Sequence, residues 1–198
     1  LDADCKTAFP NLSDDFGALS VYLKENNIEL RLRHPITNEL TTKSVSYPDL
    51  ALIIRLSLYS PEMSSLLPLT IHSAFNENDY TSIAVSALAF EEALLDAMSY
   101  GMHNAVMCTE DLPFLDPSEI SSNQGEETYL GDDFLSSMRS ICSAWPAGKI
   151  DNDFKLPILS NIPTLILSGE NDPITPPAYG DLLLNGLSNS IHLVGPHQ

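Results

Sequence analysis

One stretch of the chain, residues 162–177 with the sequence IPTLILSGENDPITPP, constrains the fold more than any other. Thr164 to Ser168 form a short apolar run between a proline and a glycine, which is typical of a parallel strand covered on both faces. The polar loop that follows contains Asp172 and then three prolines within five residues. Ligands of α/β sheets bind just beyond the carboxyl ends of the strands, and prolines stiffen a loop. Asp172 is therefore a candidate functional carboxylate.

The sequence after this loop decides between a functional loop and an ordinary turn. An Asx-Pro pair commonly starts a turn, so Asn171 to Pro173 alone is equally consistent with a turn. However, Ala178 to Leu187 places leucines at helical spacing, and Ile191 to Val194 form a second apolar run. The order of strand, acidic loop, helix and strand predicts a βαβ unit.

Leu165 to Pro177, LILSGENDPITPP, resembles the acid-bearing segment of secreted serine aminopeptidases of the α/β-hydrolase fold, the tripeptidyl aminopeptidase and proline iminopeptidase kind. The resemblance implies that Asp172 is the acid of a catalytic triad. In that family the triad histidine follows the next strand in a Gly-His pair, which is absent from residues 192–198. His197 is thus expected to be a neighbour of the catalytic histidine and not that histidine itself.

Further short motifs extend the resemblance over nearly the whole chain. They are similar to the family's entry into the cap, its cap helices, its strand returning to the sheet and a later helix end: Cys5 to Pro10, Leu58 to Pro61, Leu67-Pro68, Ala105 to Asp111, and Cys142 to Trp145. The fold class they imply is α/β, namely a partial α/β-hydrolase fold with the C-terminal parallel strands and helices and a mainly helical cap. The implied domains are a cap with a β-hairpin over residues 1–102 and the C-terminal part of the catalytic domain over residues 103–198.

The periodicity of residues 9–100 agrees with a helical lid. Helical spacing predicts helices over Phe9 to Asn26, Tyr47 to Tyr59, Leu66 to Phe75 and Thr81 to Tyr100. Alternating residues from Ile28 onward and again over Thr42 to Val45 predict a hairpin, which either shapes an entrance or is a structural flap.

A nucleophilic serine is not evident in the sequence. Ser99, in Met98 to Gly101, resembles the nucleophile elbow, but an amphipathic helix precedes it where the elbow needs a buried strand. Gly101 is interpreted instead as a helix C-cap. Because no G-x-S-x-G motif occurs, we expect the serine and the front half of the catalytic domain to lie upstream of this chain.

Three further side chains are candidates for substrate binding. His103 to Thr109 is interpreted as a strand that delivers Glu110 and Asp111 to the sheet edge. Such a pair is either a solvated loop or, in an aminopeptidase, an anchor for the substrate's α-ammonium group, with Glu110 binding and Asp111 in support. Residues 115–132 are polar and predict a lid loop. Trp145 either lines a pocket for an apolar or prolyl side chain or packs in the core.

Composition limits the partners. The chain has 198 residues, with 9 basic and 27 acidic side chains and a formal charge of −18, which argues against nucleic acid as a partner. All apolar runs are shorter than a membrane span, and the first residues lack the features of a signal peptide.

Three cysteines, Cys5, Cys108 and Cys142, show no zinc-site spacing. By themselves they are consistent with buried thiols. The resemblance implies that Cys108 and Cys142 are linked and that Cys5 pairs with an upstream cysteine, which indicates a secreted or periplasmic protein.

The predicted function is that of a serine hydrolase fragment. The complete enzyme is expected to be an aminopeptidase that releases N-terminal residues or short peptides without a metal or organic cofactor. Its partners are peptides with a free N-terminus and the upstream half of the same protein. The alternatives are an α/β-hydrolase esterase and a non-catalytic binding module derived from a hydrolase.

Overall fold

A computed structural model describes residues 3–115, 133–151 and 153–196 of the chain. The chain divides into two compact units: Leu1–Glu92 together with Pro157–Gln198, and Ala93–Leu156. We call these the first and the second unit. The predicted boundary between a cap and a catalytic domain at residues 102 and 103 stays a prediction.

The elements within the described ranges are mainly helical, with four short strands. In chain order they are α1 (Ala3–Ala8), α2 (Leu12–Glu25), β1 (Ile28–Arg33), β2 (Leu40–Val45), α3 (Tyr47–Ser57), α4 (Pro61–Ser64), α5 (Leu67–Asn76), α6 (Thr81–Ala97), α7 (Tyr100–Val106), a π-helical turn (Met107–Asp111), a 3₁₀ turn (Leu112–Phe114), α8 (Asp133–Ala144), β3 (Thr164–Gly169), α9 (Pro177–Leu184) and β4 (Ser190–Gly195). No helix in these ranges combines the length and the apolar composition that a membrane crossing requires.

The N-terminal helices of the first unit share one apolar core. Side chains from α2, α3 and α6 and from the end of β2 are almost completely shielded from solvent; they are Leu19, Leu23, Val45, Leu50, Ile53 and Ile83. Their three- and four-residue spacing along each helix is the pattern from which the helices were predicted, and burial of this apolar stripe stabilises them. The predicted helices over residues 9–26, 47–59 and 66–75 are confirmed within two or three residues at each end.

The predicted hairpin is confirmed. β1 and β2 pair antiparallel from Ile28 opposite Val45 to Arg33 opposite Leu40. The connecting turn contains Asn38 with a φ of 60°, a left-handed conformation that asparagine tolerates better than most residues. One face of the hairpin packs against the helical core.

The predicted βαβ unit is also confirmed. β3 and β4 pair in parallel from Thr164 beside Ser190 to Gly169 beside Gly195, and α9 connects them. Prolines in the loop and at the first position of α9 fit this arrangement, since proline needs no N–H partner there. Because the two strands end side by side, the chain leaves both of them at the same edge of the sheet.

The expectation that β3 is covered on both faces was wrong for this chain. The face that carries Leu165 and Leu167 in β3 and Ile191 and Leu193 in β4 is exposed, each side chain by 53 to 70%. The opposite face is half-buried and lies against α9. A two-stranded sheet with one helix can cover only one of its faces, so the apolar composition of β3 exceeds what this chain buries.

The predicted strand over residues 103–109 was wrong. The segment is helical, with α7 continuing into the π-helical turn, and Gly101 lies inside α7 and is not a C-cap. A short apolar run such as Ala105 to Met107 does not distinguish a strand from a helix. In the second unit, moreover, no neighbouring strand is described with which it could pair, so local helical hydrogen bonds satisfy its backbone.

A disulfide joins two elements of the second unit. Cys108 in the π-helical turn is bonded to Cys142 in α8, with their Cα atoms 5.2 Å apart. This is the pairing that the family resemblance implied. The bridge fixes the π-helical turn against α8 and closes a loop of 34 residues, which restricts the unfolded chain.

Candidate active site around Asp172

Asp172 is held at the carboxyl end of β3 by its own loop. Its Oδ1 accepts hydrogen bonds from the backbone N–H groups of Ile174 at 2.8 Å and Thr175 at 2.9 Å. Its Oδ2 accepts the hydroxyl hydrogen of Thr175 at 2.8 Å. The residues after the aspartate thus fold back onto its carboxylate, as in an Asx turn.

These bonds also favour the ionised carboxylate. The backbone N–H groups of Thr175 and Ile174, and then the Thr175 hydroxyl, lower the pKa of Asp172 below its ordinary value of 3.8. An ionised carboxylate offers about four acceptor positions, of which three are filled here. The side chain therefore has a fixed position and a stable negative charge, and its Oδ2 retains room for one more donor.

An open cleft of about 840 Å³ lies beside this carboxylate within the first unit. One wall is the loop around Asp172. The other comes from the end of α3 and the start of α4, where Leu58, Tyr59 and Pro61 contribute apolar surface. Ser60 caps α4 by accepting a hydrogen bond from the backbone N–H of Met63 at 3.3 Å, which fixes this second wall. A largely apolar cleft with one fixed carboxylate is the usual composition of a small-molecule or peptide site.

The exit of β4 is adjacent to the same loop. Gly169 and Gly195 are register partners, and the backbone N–H of Glu170 donates to the carbonyl oxygen of Gly195 at 3.0 Å. Whatever follows Gly195 therefore starts at the base of the Asp172 loop. His197 lies outside the described residues, so its predicted place near a catalytic histidine stays a prediction.

The other predicted site residues lie in the second unit. Glu110 and Asp111 belong to the π-helical turn and not to a strand end, and both are half-buried. Asp111 forms an ion pair with Lys155, with 3.1 Å between Oδ1 and Nζ. Trp145 follows α8 and is half-buried. Because Asp172 lies in the first unit, a common site for these residues stays a prediction, and most of the predicted lid loop over residues 115–132 lies outside the described ranges.

Ser99 does not lie in a nucleophile elbow. It is the residue before α7 and follows α6, so a helix precedes it and no strand leads into the turn. A nucleophile elbow needs a strand before the serine and a helix after it.

Among the described side chains, no group of three or more His, Cys, Asp or Glu residues is arranged to hold a metal ion.

Sequence reasoning missed a polar network beneath α9. The imidazole of His192 lies 2.9 Å from Asp181 through Nδ1 and 2.9 Å from Ser168 through Nε2. The connectivity is that of a Ser-His-Asp relay, but Ser168 lies within β3 in register with Val194 and not on a strand-to-helix turn. The alternation of β4 places His192 on its inner face, which was the one signal in the sequence for a buried polar contact.

A parallel strand pair joined by a helix, with a fixed carboxylate beyond the first strand, is an α/β arrangement in which that carboxylate lies at the edge of the sheet where ligands bind. Residues 127–198 match the model of the family described as TAP-like protein, an α/β-hydrolase family. The match includes β3, α9, β4 and Asp172, and it supports a hydrolase. A search of curated proteins and of solved structures found no match.

Proposed function

We propose that this chain supplies the acid of a serine hydrolase active site and that the complete enzyme is an aminopeptidase that releases N-terminal residues or short peptides. The observation that carries the proposal is the carboxylate of Asp172. It is fixed by three hydrogen bonds at the end of β3, beside the exit of β4. The TAP-like match over residues 127–198 supports the same hydrolase class.

In the proposed mechanism, a serine and a histidine outside this chain carry out the proton transfer and the attack. The serine hydroxyl attacks the carbonyl carbon while the histidine takes its proton. The remaining acceptor position on Oδ2 of Asp172 receives the other ring N–H of that histidine, which fixes the tautomer and stabilises the imidazolium. Collapse of the tetrahedral intermediate breaks the C–N bond, returns the proton to the leaving amine and leaves an acyl-serine, which a water molecule deprotonated by the same histidine hydrolyses to free the serine.

Substrate selection is assigned to the acidic side chains of the π-helical turn. A carboxylate at Glu110, supported by Asp111, would bind the free α-ammonium group of the substrate, and Trp145 would line the pocket for the released side chain.

The disulfide between Cys108 and Cys142 supports an oxidising compartment, so we propose that the enzyme lies outside the cytosol, secreted or periplasmic. The mechanism uses no metal or organic cofactor.

The test is Asp172→Asn in the protein expressed from the complete reading frame. Asparagine keeps an oxygen acceptor for the N–H groups of Ile174 and Thr175, so the loop is retained while the charge opposite the histidine is lost. We expect kcat to fall by about 10⁴-fold, the loss typical of a triad acid replaced by its amide. Asp153→Asn, at an exposed position, is the matched control and should leave kcat unchanged. If the Asp172 variant retains a tenth of the activity or more, this residue is not the acid.

A further inference from the structure

His192 contacts both anchor points of the loop that carries Asp172. The loop leaves β3 after Gly169 and enters α9 at Pro177. One ring nitrogen of His192 bonds to Ser168, the next-to-last residue of β3, and the other bonds to Asp181 in α9, beyond the end of the loop. The side chain of His192 in β4 thereby connects β3 and α9, the two elements that the loop joins.

The hydrogen-bond directions follow from the chemistry of the partners. An ionised carboxylate only accepts, so Nδ1 of His192 carries the hydrogen and donates to Asp181. In the neutral ring Nε2 is then an acceptor, and the hydroxyl of Ser168 donates to it. Both ring nitrogens are thus satisfied in a side chain that is only 4% exposed.

The imidazole of His192 packs tightly against α9 at Gly180. Gly180 in α9 lies against the imidazole so closely that an added Cβ would be 2.5 Å from Nε2 and 2.6 Å from Cε1. A side chain at this position would force either α9 or the imidazole of His192 to move. The absence of a Cβ at Gly180 is what lets the helix approach His192 within hydrogen-bond reach of Asp181.

We propose that His192 is a positioning residue for Asp172: by linking Ser168 to Asp181 it fixes the distance that the loop must span, and so holds the carboxylate of Asp172 in its loop. The functional consequence rests on the proposed role of Asp172 as the triad acid, whereas the structural link does not. Loss of the link lets α9 shift relative to β3, and the bonds from Ile174 and Thr175 to Asp172 lengthen together.

The experiment follows Asp172 in this chain by NMR, without any activity assay. In the unmodified chain the carboxyl of Asp172 should titrate below 3.8, and the amides of Ile174 and Thr175 should exchange slowly. In His192→Phe, which keeps a ring but loses both hydrogen bonds, we expect the Asp172 pKa to move up toward 3.8. Exchange of the two amides should become about ten-fold faster, because a loosened loop opens more often.

Matched variants separate positioning from general destabilisation. Asp181→Asn keeps an acceptor for Nδ1 and should preserve the Asp172 titration, whereas Asp181→Ala should shift it as His192→Phe does. Gly180→Ala should also shift it, while Gly17→Ala, in α2 with nothing within 4 Å of an added Cβ, should not. If His192→Phe does not fold, Ser168→Ala and Asp181→Ala, which each remove one of the two hydrogen bonds of His192, test whether loss of the link raises the pKa of Asp172.

An Asp172 pKa and amide exchange rates that are unchanged in the folded variants would overturn the proposal, even if their global stability is reduced. That result would leave the proposed catalytic role of Asp172 standing, since the role is tested separately by Asp172→Asn. Conversely, if Asp172→Asn shows that Asp172 is not the catalytic acid, the NMR test of the link through His192 is unaffected.

Discussion

At the scale of single residues, Asp172 combines a fixed position with an acceptor site that its loop leaves open. Its lowered pKa means that these hydrogen bonds contribute stability above pH 3.8, and that the contribution is lost as pH falls through the lower folded-state pKa. The carboxylate is therefore fully ionised at neutral pH, which is the state that a partner to a histidine requires.

The proposed role of Glu110 as the anchor for the substrate's α-ammonium group gives a test that separates an aminopeptidase from an esterase. In the complete protein, Glu110→Gln removes the charge proposed to bind the substrate ammonium group. We expect kcat/KM for chromogenic peptides with a free N-terminus to fall by about 10- to 100-fold, the equivalent of one charge-assisted hydrogen bond. Hydrolysis of p-nitrophenyl acetate, which has no ammonium group, should be unchanged.

Glu77→Gln is the control for this measurement. Glu77 is exposed after the end of α5, and its substitution by glutamine removes the same charge. Equal losses for the peptide and the ester in Glu110→Gln would indicate a structural role for this carboxylate. An unchanged kcat/KM for both substrates would favour the esterase alternative.

The same residues show how far sequence reasoning reaches at this scale. The loop around Asp172 could be predicted because its turn chemistry is local: the carboxylate, the proline and the threonine lie within four positions. The network of His192 could not, because its partners Ser168 and Asp181 lie 24 and 11 positions away and belong to two different elements. Only the packing of α9 on the strand pair brings them together.

At the scale of elements, long periodic patterns predicted the helices of the core, whereas short apolar runs predicted β3 and β4 correctly but the segment over residues 103–109 wrongly. Helices α2, α3 and α5 and the β1–β2 hairpin follow from the spacing of their apolar residues, and the β3–β4 pair follows from two apolar runs separated by a loop and a helix. The prediction for the segment around Met107 failed because its apolar run is only a few residues long, and such a run does not distinguish a strand from a helix.

A charged cluster links the hairpin to two helices and gives a test of element packing. Lys43 of β2 lies 2.8 Å from Asp49 in α3 and 2.6 Å from Glu91 in α6, and its side chain is only 14% exposed. Asp49 also accepts the backbone N–H of Ser46 at 2.8 Å and so caps α3. Removing the cation leaves a carboxylate with only 9% of its side chain exposed and no compensating charge from Lys43.

We therefore expect Lys43→Met to lower the free energy of unfolding by about 3 kcal/mol, measured by urea denaturation at pH 7. Burial alone would lower the pKa of Lys43, but the hydrogen bonds to Asp49 and Glu91 raise it above 10.5. The difference from wild type should be fully present below pH 10.5 and shrink as pH rises through the folded-state pKa. Lys149→Met, at an exposed position, should change stability by less than about 0.5 kcal/mol. A comparable loss in both variants would mean that the cluster contributes nothing specific.

At the scale of the whole molecule, the chain contains more apolar strand surface than it covers. Parallel sheets are found almost exclusively with both faces covered, yet one face of the β3–β4 pair is exposed through Leu165, Leu167, Ile191 and Leu193. Spacing and composition predict that such strands are buried, but they cannot say by which part of a protein. The exposed face and the missing elbow motif agree with the proposal that further residues complete the catalytic domain.

The last prediction follows from the proposal that the serine and the histidine lie outside this chain: residues 1–198 alone should not hydrolyse any substrate of the complete enzyme. The chain supplies the proposed acid, but Ser99 lacks an elbow and Ser168 lies within β3. Release of p-nitroaniline from aminoacyl and tripeptidyl substrates should equal the uncatalysed rate, and a fluorophosphonate probe should label no serine, because an unactivated hydroxyl is a poor nucleophile. The complete protein, assayed at the same concentration, is the positive control. Turnover by the isolated chain that is lost in Ser168→Ala, or labelling of Ser168, would instead place a nucleophile within this chain and contradict the proposed division of the triad.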